Sequence, residues 1–312
     1  MRVVLFGTPQ VAVPYLDALM QAGHEIAAVV TQPDRPAGRG RKLQPSAVKQ
    51  AALQRGLPVL TPEKAGEPDF VASVAMLAPE VGVVVAYGQI LRPELLATAS
   101  QSFVNVHYSL LPKLRGAAPV YGALREGLRE TGVTIQYMAE KLDAGDIILQ
   151  RSLRIAEDDD RGTLTDRLTE IGTEALVEAL TLLAGGEAPR IPQDDSQATM
   201  VGRVRTEDCR LDWSLEPEEL RNLVRACTPW PGAWCLLGDR RVGVERVTVV
   251  KKDLTGEGRP GEIVEIRSEA GPVVGAGGGS VMLEQLRPAG KRSMTGAEFL
   301  RGARLNAGDR LG

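Results

Sequence analysis

The apolar run Val81-Gly-Val-Val-Val85 constrains the fold most, because a strand that is hydrophobic on both faces must be covered on both faces. Near the N-terminus, a strand at Arg2–Phe6, a helix from Val11 to Gln21 and a second strand at Glu25–Thr31 follow one another closely. A strand, a helix and a strand at this spacing form a parallel pair with a crossover. The sequence therefore predicts an α/β fold with a doubly wound, mainly parallel sheet.

The composition changes near residue 189 and divides the chain into two domains. A polar, aperiodic stretch with Pro189 and Pro192 predicts a linker over residues 189–206. After one helix near Glu216–Ala226, short strands separated by glycines predict a small β-barrel in residues 207–312. Residues 1–188 then form the first domain, whose first turn lacks the Gly-x-Gly-x-x-Gly motif of dinucleotide-binding proteins.

Three bulk properties exclude broad classes of function. The hydrophobic fraction of 43% is typical of a globular chain, and no apolar run approaches the roughly 20 residues that span a membrane. The formal net charge of −3 argues against wholesale binding of nucleic acid but leaves room for a local basic surface. The three cysteines have no zinc-ligand spacing, so we expect reduced thiols in a cytoplasmic protein.

Two polar side chains interrupt the apolar strand Phe103–His107. Asn105 and His107 are two residues apart, so they point to the same face of the strand. An isolated histidine at a strand end often does no more than bond a neighbouring carbonyl, but the paired Asn and the strand-end position favour a functional site. Ligands of doubly wound sheets bind at the carboxyl ends of the strands. The loop 86–91 and the turn that carries Asp143 are predicted at the same edge.

Asn105, His107 and Asp143 together suit the attack of an amine on a carbonyl group. A neutral amide donates a hydrogen bond to an oxyanion, and a carboxylate near a histidine favours the protonated imidazole. Metal-dependent hydrolysis needs more ligands than one histidine and one aspartate, so we predict no metal. The chain has no Gly-x-Ser-x-Gly nucleophile motif, and its first 208 residues contain no cysteine, so a covalent enzyme intermediate is not indicated.

Two basic clusters are candidates for phosphate contacts. The first lies in residues 31–45, which have no hydrophobic period and are predicted as a loop. Its members, opposed by a single acidic residue, are Arg35, Arg39, Arg41 and Lys42. Glycines beside these arginines let the backbone approach a phosphate chain that the guanidinium groups grip, although a solvated loop has the same composition. The second cluster includes Lys291 and Arg292, and a solvated turn explains it slightly better.

Four motifs of the first domain resemble the signature of the 10-formyltetrahydrofolate-dependent formyltransferase family. They are Asn105-Val-His107, Ser109-Leu-Leu-Pro112, Arg115-Gly-Ala-Ala-Pro119 and Leu142-Asp-Ala-Gly-Asp146. Further segments are similar to the branch of this family that acts on methionyl-tRNA. They are Phe6-Gly-Thr-Pro9, Thr31–Gly40, Val84–Gly88, Asp212-Trp-Ser214, Pro229-Trp-Pro231 and Gln285–Lys291. The resemblance covers nearly the whole chain.

The resemblance implies a reaction and its participants. The formyl group of 10-formyltetrahydrofolate would move to the α-amino group of methionine on initiator methionyl-tRNA, with Asn105, His107 and Asp143 as the catalytic trio. The folate would lie against two segments, Ser109-Leu110-Leu111-Pro112 and Ala86-Tyr87-Gly88-Gln89-Ile90-Leu91. The tRNA acceptor stem would meet the basic loop, with Arg39 foremost. The second domain would be an OB-like barrel that adds tRNA contacts.

Two alternatives remain at this stage. A formyltransferase that acts on glycinamide ribonucleotide or an amino-sugar nucleotide would share the trio but would need neither the basic loop nor the barrel. A non-catalytic RNA-binding protein would use the loop and the barrel but would have no use for the trio. We further expect a monomer that does not associate with membranes.

Overall fold

The computed structural model describes residues 1–37, 42–250 and 259–312, which form two compact units. Unit 1 consists of residues 1–119, 131–153 and 165–200. Unit 2 consists of residues 120–130, 154–164 and 201–312. Each unit contains its own cluster of buried apolar side chains, so each has a hydrophobic core.

The strands that precede residue 202 are, in chain order, β1 (Arg2–Gly7), β2 (Glu25–Val30), β3 (Arg35–Ala37), β4 (Lys42–Gln44), β5 (Val59–Leu60), β6 (Val81–Val85), β7 (Ser102–His107), β8 (Arg115–Gly116), β9 (Glu130–Tyr137), β10 (Ile147–Arg154) and β11 (Met200–Val201). Seven of them form one sheet in the order β10-β9-β7-β6-β1-β2-β5. Strands β5, β2, β1, β6 and β7 pair in parallel, and β9 pairs antiparallel to β7. The expected doubly wound, mainly parallel sheet is confirmed.

The helices of the described residues are α1 (Val13–Gln21), α2 (Ala47–Gln54), α3 (Pro68–Met76), α4 (Pro93–Leu96), α5 (Pro119–Arg125), α6 (Arg161–Ala184), α7 (Pro217–Cys227) and α8 (Gly296–Ala303). Side-chain caps fix the start of several of them, and α2 and α7 are two examples. The Ser46 hydroxyl accepts a hydrogen bond from the Lys49 amide at 3.0 Å and begins α2. A reciprocal capping box of Glu216 and Glu219 begins α7. The short helices α4 and α8 were not predicted from the sequence.

Strand β6 lies in the middle of the sheet, as its apolar sequence predicts. All five of its residues are buried, so both faces of the strand are covered. Gly82 leaves room for the ring of Phe103 on the neighbouring β7, because a Cβ atom added at Gly82 would overlap that ring. The parallel pairing of β6 with β7 brings their carboxyl ends side by side, and the loops that follow them lie at one edge of the sheet.

The prediction of an aperiodic loop over residues 31–45 was wrong in part. Strands β3 and β4 pair antiparallel there, with Arg35 opposite Gln44 and Pro36 opposite Leu43. The five hairpin residues whose burial is described are all exposed, and Leu43 is 69% exposed, which is why no hydrophobic period marks the hairpin in the sequence. Residues 38–41, which include Arg39 and Arg41, lie outside the described residues.

Unit 2 is dominated by an antiparallel sheet. Its strands are β12 (Ala233–Leu237), β13 (Arg240–Val250), β14 (Ile263–Arg267), β15 (Gly271–Ala276), β16 (Gly279–Pro288) and β17 (Met294–Thr295). The order is β12-β13-β16-β15-β14, and β17 pairs with β16. The five longer strands agree with the short apolar segments predicted from the sequence.

The C-terminal residues close this sheet. Leu236 and Gly312 exchange two backbone hydrogen bonds at 2.7 and 2.9 Å, which joins the tail to the edge strand β12. The Leu311 amide donates to the carbonyl of Gly261, and the Ile263 amide donates to the carbonyl of Asp309, both at 2.8 Å, which joins the same tail to the other edge, β14. Both edges of the sheet are thereby paired, and the unit is a small barrel.

Among the described residues, no helix is both long enough and apolar enough to cross a membrane. The three cysteines, Cys209, Cys227 and Cys235, are buried and form no disulfide.

The tail should contribute to the stability of unit 2. The Leu311 side chain is only 4% exposed and packs in the core of this unit. Leu311→Ala should lower the free energy of unfolding by about 2–4 kcal/mol, because it leaves a cavity between the two edges that the tail joins. All three tryptophans of the chain lie in unit 2, so denaturation followed by tryptophan fluorescence measures this effect.

The same substitution at Leu53, which is 58% exposed, is the matched control and should change stability by less than about 0.5 kcal/mol. Equal denaturation midpoints for Leu311→Ala and the native protein would contradict the closing role of the tail.

Candidate active site

The two polar residues of β7 face a second polar pair on β9. In the antiparallel register, Asn105 lies opposite Gln136 and His107 lies opposite Thr134. Because side chains alternate along both strands, these four side chains share one face of the sheet. Gln136 and Thr134 are buried, and the predicted pair thus belongs to a polar group of four at the strand ends.

The imidazole of His107 is held by a backbone carbonyl. Its side chain is buried, and its Nε2 atom lies 2.9 Å from the carbonyl oxygen of Leu114. A carbonyl oxygen only accepts, so Nε2 donates and carries the proton in the neutral imidazole. The Nδ1 atom lies 3.7 Å from Oδ1 of Asp143, which is beyond hydrogen-bond distance. Nδ1 is therefore the atom that remains available for proton exchange.

Burial lowers the pKa of His107 below its ordinary value of 6.5, because the charged imidazolium loses its hydration. The Asp143 carboxylate and the Leu114 carbonyl act in the opposite direction but do not overcome burial. The sequence-based expectation that a nearby carboxylate favours the protonated imidazole is correct for the effect of Asp143, which raises the pKa of His107. It omitted the larger effect of burial.

Asp143 is placed by the turn between β9 and β10. Its Oδ2 atom accepts the backbone amide of Gly116 at 2.8 Å, and its Oδ1 atom accepts the side-chain amide of Gln136 at 3.3 Å. Two residues later, Gly145 packs so closely on β9 that any side chain there would overlap the carbonyl of Tyr137. The glycine therefore lets the turn fold back toward His107.

Three non-glycine residues near the strand ends adopt the left-handed backbone region. They are Ala86, Leu114 and Asp143, with φ values of +48°, +57° and +51°. Each costs on the order of 1 kcal/mol, and such residues persist where the surrounding structure fixes them. Ala86 directly follows β6, Leu114 provides the carbonyl that binds His107, and Asp143 carries the carboxylate near the imidazole.

Gln136 belongs to the candidate site by its position, and it was not predicted from the sequence. A signal was present, because Thr134 and Gln136 are the two polar residues at alternate positions of an otherwise apolar predicted strand, Gly132–Met138. The register with β7 is what places them beside Asn105 and His107, and that register follows from no local pattern.

The segment Ser109 to Pro112 is a loop that internal hydrogen bonds hold closed. The buried hydroxyl of Ser109 donates to the carbonyl of Lys113 at 2.6 Å, so it is not directed at a ligand. Thr134 accepts the Leu111 amide at 3.1 Å and donates to the Ser109 carbonyl at 2.6 Å. Leu111 is buried, whereas Leu110 and Pro112 are half-buried. The peptide bond between Leu111 and Pro112 is cis.

The solvent-exposed part of loop 86–91 consists of backbone and small or apolar residues rather than large polar side chains. Tyr87 and Leu91 pack in the core of unit 1, and Gln89 binds the Ala65 amide at 2.8 Å. Ala86, Gly88 and Ile90 are exposed, and Ile90 is 83% exposed. Only these three side-chain positions, together with the loop backbone, are open to a ligand.

The described members of the basic clusters are exposed. Arg35 and Lys42 lie on the two strands of the β3–β4 hairpin, and Asp34 is neutralised by Lys49 at 2.8 Å. Asp34, the acidic residue next to the hairpin in the sequence, is thus paired with Lys49 and does not offset the positive charge of the hairpin. In unit 2, Lys291 is exposed, and Arg292 pairs with Glu298 at 3.0 Å. Within the part of the chain that the structure describes, no group of three or more His, Cys, Asp or Glu side chains could hold a metal ion.

Comparison with known proteins covers almost the entire chain. Residues 1–180 match the family model described as "Formyl transferase", and residues 203–304 match "Formyl transferase, C-terminal domain". A curated methionyl-tRNA formyltransferase from Geobacter sulfurreducens is 44% identical over 312 residues, which is 100% of this chain and 97% of the relative.

Two solved structures share the fold at low sequence identity. HypX from Aquifex aeolicus, in complex with tetrahydrofolic acid, has a TM-score of 0.65 at 20% identity and covers 96% of this chain. This chain spans about half of HypX, 47% of its length. WlaRD, a sugar 3N-formyl transferase crystallised in the presence of dTDP and 5-N-formyl-THF, has a TM-score of 0.67 at 15% identity, with 94% of this chain and 99% of WlaRD covered.

The geometry of His107 predicts two imidazole titrations. In the native protein, the pKa of His107 should lie below 6.5, and Asp143→Asn should lower it further, because a neutral amide no longer attracts the imidazolium. The chain has only two histidines, so long-range ¹H–¹⁵N correlation of the imidazoles resolves both. His24 is the internal control, and its titration should not change in Asp143→Asn. An increase in the His107 pKa in that variant would contradict the assigned interaction.

The same shift determines how His107 contributes to stability. Because the folded pKa lies below the unfolded value of 6.5, the unfolded chain binds the proton more readily as the pH falls. The stabilising contribution is therefore complete above pH 6.5 and is lost as the pH falls through the folded pKa.

Proposed function

The chain belongs to the formyl transferase family, and we propose that it transfers the formyl group of 10-formyltetrahydrofolate to the α-amino group of methionine on initiator methionyl-tRNA. The observation that carries this proposal is the convergence of Asn105, His107 and Asp143 at one strand edge of a chain that is 44% identical, over its whole length, to a methionyl-tRNA formyltransferase. The product would be N-formylmethionyl-tRNA for translation initiation in the cytoplasm.

The reaction begins when the free amine attacks the formyl carbon. A carbon–nitrogen bond forms, and the formyl oxygen gains negative charge in the tetrahedral intermediate. The Asn105 amide donates a hydrogen bond to this oxyanion, and Asn105 is suited to the role because its side chain is only half-buried and forms no hydrogen bond to any described residue. His107 supplies the second donor through Nδ1 once that atom is protonated, since Nε2 already donates to Leu114.

Proton transfer completes the exchange. The attacking amine loses one proton, the bond between the formyl carbon and N10 of the folate breaks, and N10 gains one proton. Asp143 would pass this proton, and the 3.7 Å distance between its Oδ1 atom and Nδ1 of His107 at the polar strand edge supports this role. Both side chains return to their starting protonation states at the end of the cycle, and no covalent bond to the protein forms.

We propose that the folate lies along the open backbone of loop 86–91 and against the half-buried Leu110 and Pro112. The exposed Ile90 offers an apolar surface for a ring, and the left-handed turns at Ala86 and Gly88 present backbone groups rather than side chains. Tyr87, Gln89, Leu91, Ser109 and Leu111 would act by shaping the two loops, because their side chains are engaged within the protein.

The tRNA partner is proposed from the distribution of positive charge. Arg35 and Lys42 are exposed on the β3–β4 hairpin, and Arg39 and Arg41 lie between them in the sequence, so four basic residues fall in eight positions. Phosphate groups of an acceptor stem would release counterions on contact with such a segment. Residues 207–312 would form the second tRNA-binding domain, with Lys291 more available than the ion-paired Arg292. We further propose that the protein acts as a monomer.

One assay tests the proposal directly. Formyl transfer from 10-formyltetrahydrofolate should proceed with methionyl initiator tRNA and should be at least about tenfold slower with methionyl elongator tRNA, which corresponds to roughly 1.4 kcal/mol of discrimination. Transfer to free glycinamide ribonucleotide, with none to either tRNA, would instead indicate a small-amine formyltransferase.

Asn105→Ala and His107→Ala should each reduce the single-turnover rate of formyl transfer on the order of 10²- to 10³-fold, because each removes one donor to the oxyanion. His24→Ala is the matched control, since it removes the other histidine, which lies outside the polar group of four. Near-native rates in both site variants would remove this trio from the mechanism.

Arg35→Ala combined with Lys42→Ala should raise the KM for tRNA, leave the binding of a formylfolate analogue unchanged, and reduce the dependence of tRNA affinity on salt. Two phosphate contacts correspond to a decrease of about 1.8 in the slope of log K against log salt if the stem is double-helical. Loss of folate binding in the same protein would indicate misfolding, and circular dichroism tests for that independently.

A further inference from the structure

Residues 189–200, which follow α6, lie against the Asp143 turn within unit 1, although their composition predicts only a linker. Before Gln193, Ile191 and Ile147 exchange two backbone hydrogen bonds at 2.8 and 3.1 Å. After it, the hydroxyl of Thr199 accepts a hydrogen bond from the Leu114 amide at 2.8 Å. The backbone carbonyl of Thr199 accepts one from the Arg115 amide, also at 2.8 Å. The segment is therefore fixed on both sides of Gln193.

The side-chain amide of Gln193 binds the turn at several points. Its Nε2 atom donates to the carbonyl of Asp143 at 2.9 Å, to the carbonyl of Gly145 at 2.7 Å and to Oε1 of Gln136 at 3.1 Å. The two hydrogens of this amide are thus shared among three oxygens. Gln136 in turn donates to the Asp143 carboxylate. Gln193 consequently contacts both the backbone of Asp143 and the side chain that binds its carboxylate.

Arg115 sets the orientation of this amide. Its Nε and Nη2 atoms donate to Oε1 of Gln193 at 3.0 and 2.7 Å, and Nη2 also donates to Asp195 at 2.7 Å. A guanidinium group only donates, so it selects the oxygen end of the Gln193 amide and leaves the nitrogen end directed at the turn. Arg115 is itself buried, which keeps this arrangement out of solvent.

We propose that Gln193 is a positioning residue for the reaction: it holds the turn so that the carboxylate of Asp143 faces Nδ1 of His107. The proposal rests on the function proposed above. Asp143 has a φ of +51°, a backbone conformation that is unfavourable for a residue with a side chain. Hydrogen bonds to its own carbonyl and to that of Gly145 stabilise this conformation, and a relaxed turn would move the carboxylate away from the imidazole.

The hydrogen bonds of the Gln193 side chain are not needed to attach residues 189–200 to the rest of unit 1. The backbone bonds at Ile191 and Thr199 already attach the segment, and substitution of Gln193 leaves both intact. The Gln193 amide differs from them in that all its acceptors lie on the turn or on the partner of the Asp143 carboxylate. Its loss should therefore affect the position of Asp143 more than the fold.

Two variants separate the parts of the interaction. Gln193→Met has a similar length but no hydrogen-bonding atoms, and Gln193→Glu keeps the acceptor for Arg115 but loses every bond to the turn. Both should lower kcat about tenfold or more, while the KM for tRNA and for the folate changes less than about twofold, because misplacement of a reacting group acts on the chemical step. Gln197→Met is the matched control and should behave as the native protein, since among the described residues the side-chain amide of Gln197 binds only Asp194, within its own segment.

The imidazole titration of His107 gives a readout that does not depend on turnover. In Gln193→Met, the pKa of His107 should fall toward its value in Asp143→Asn, because the carboxylate has moved away. A native His107 titration together with native kcat, with loss of thermal stability alone, would identify Gln193 as a structural tie and overturn the proposal. If the native protein transfers no formyl group at all, the proposed function fails, while the titration still decides whether Gln193 positions Asp143.

Discussion

The hydrogen bond from His107 Nε2 to the Leu114 carbonyl is the contact on which the rest of the site depends. It fixes the tautomer of the imidazole, and it leaves Nδ1 as the only ring nitrogen that can exchange a proton. Leu114 presents that carbonyl from a left-handed conformation, which the hydroxyl of Thr199 stabilises by accepting the Leu114 amide. His107, the clearest catalytic candidate in the sequence, is thus oriented by the backbone carbonyl of Leu114, seven positions later. That carbonyl is in turn held by the side chain of Thr199, more than eighty positions away.

Local patterns predicted the framework of the site correctly. The period of two placed Asn105 and His107 on one face, and the apolar run at Val81–Val85 predicted a buried central strand. The positions of Gln136 and Gln193 beside these residues do not follow from local patterns, although Gln136 belongs to a similar alternation of polar and apolar residues. The first depends on an antiparallel register between strands, and the second lies in a segment with no period, where only long-range hydrogen bonds determine its position.

The same distinction applies to unit 2. Its strands follow from short apolar runs between glycines, whereas its closure depends on single backbone pairs made by Leu311 and Gly312. A bridge of one or two residues has too few side chains to produce a hydrophobic alternation, so no sequence signal marks it as a strand. The β3–β4 hairpin was missed for a related reason, because every hairpin residue whose burial is described is exposed and no hydrophobic alternation results.

The polar strand edge would account for the proposed reaction but not for the choice of acceptor. An amide, an imidazole and a carboxylate would stabilise the attack of any amine on a formyl group, and a sugar N-formyl transferase shares this fold at only 15% identity. Discrimination between amines must therefore come from groups that contact the remainder of the acceptor. The β3–β4 hairpin has an exposed cation on each strand, and its neighbouring acid, Asp34, is neutralised by Lys49. The exposed cations of this hairpin would attract a polyanion more strongly than an acceptor that carries only one or two phosphate groups, because each further phosphate contact adds to the electrostatic attraction. The charge of the hairpin therefore favours the proposed nucleic acid as the carrier of the amine.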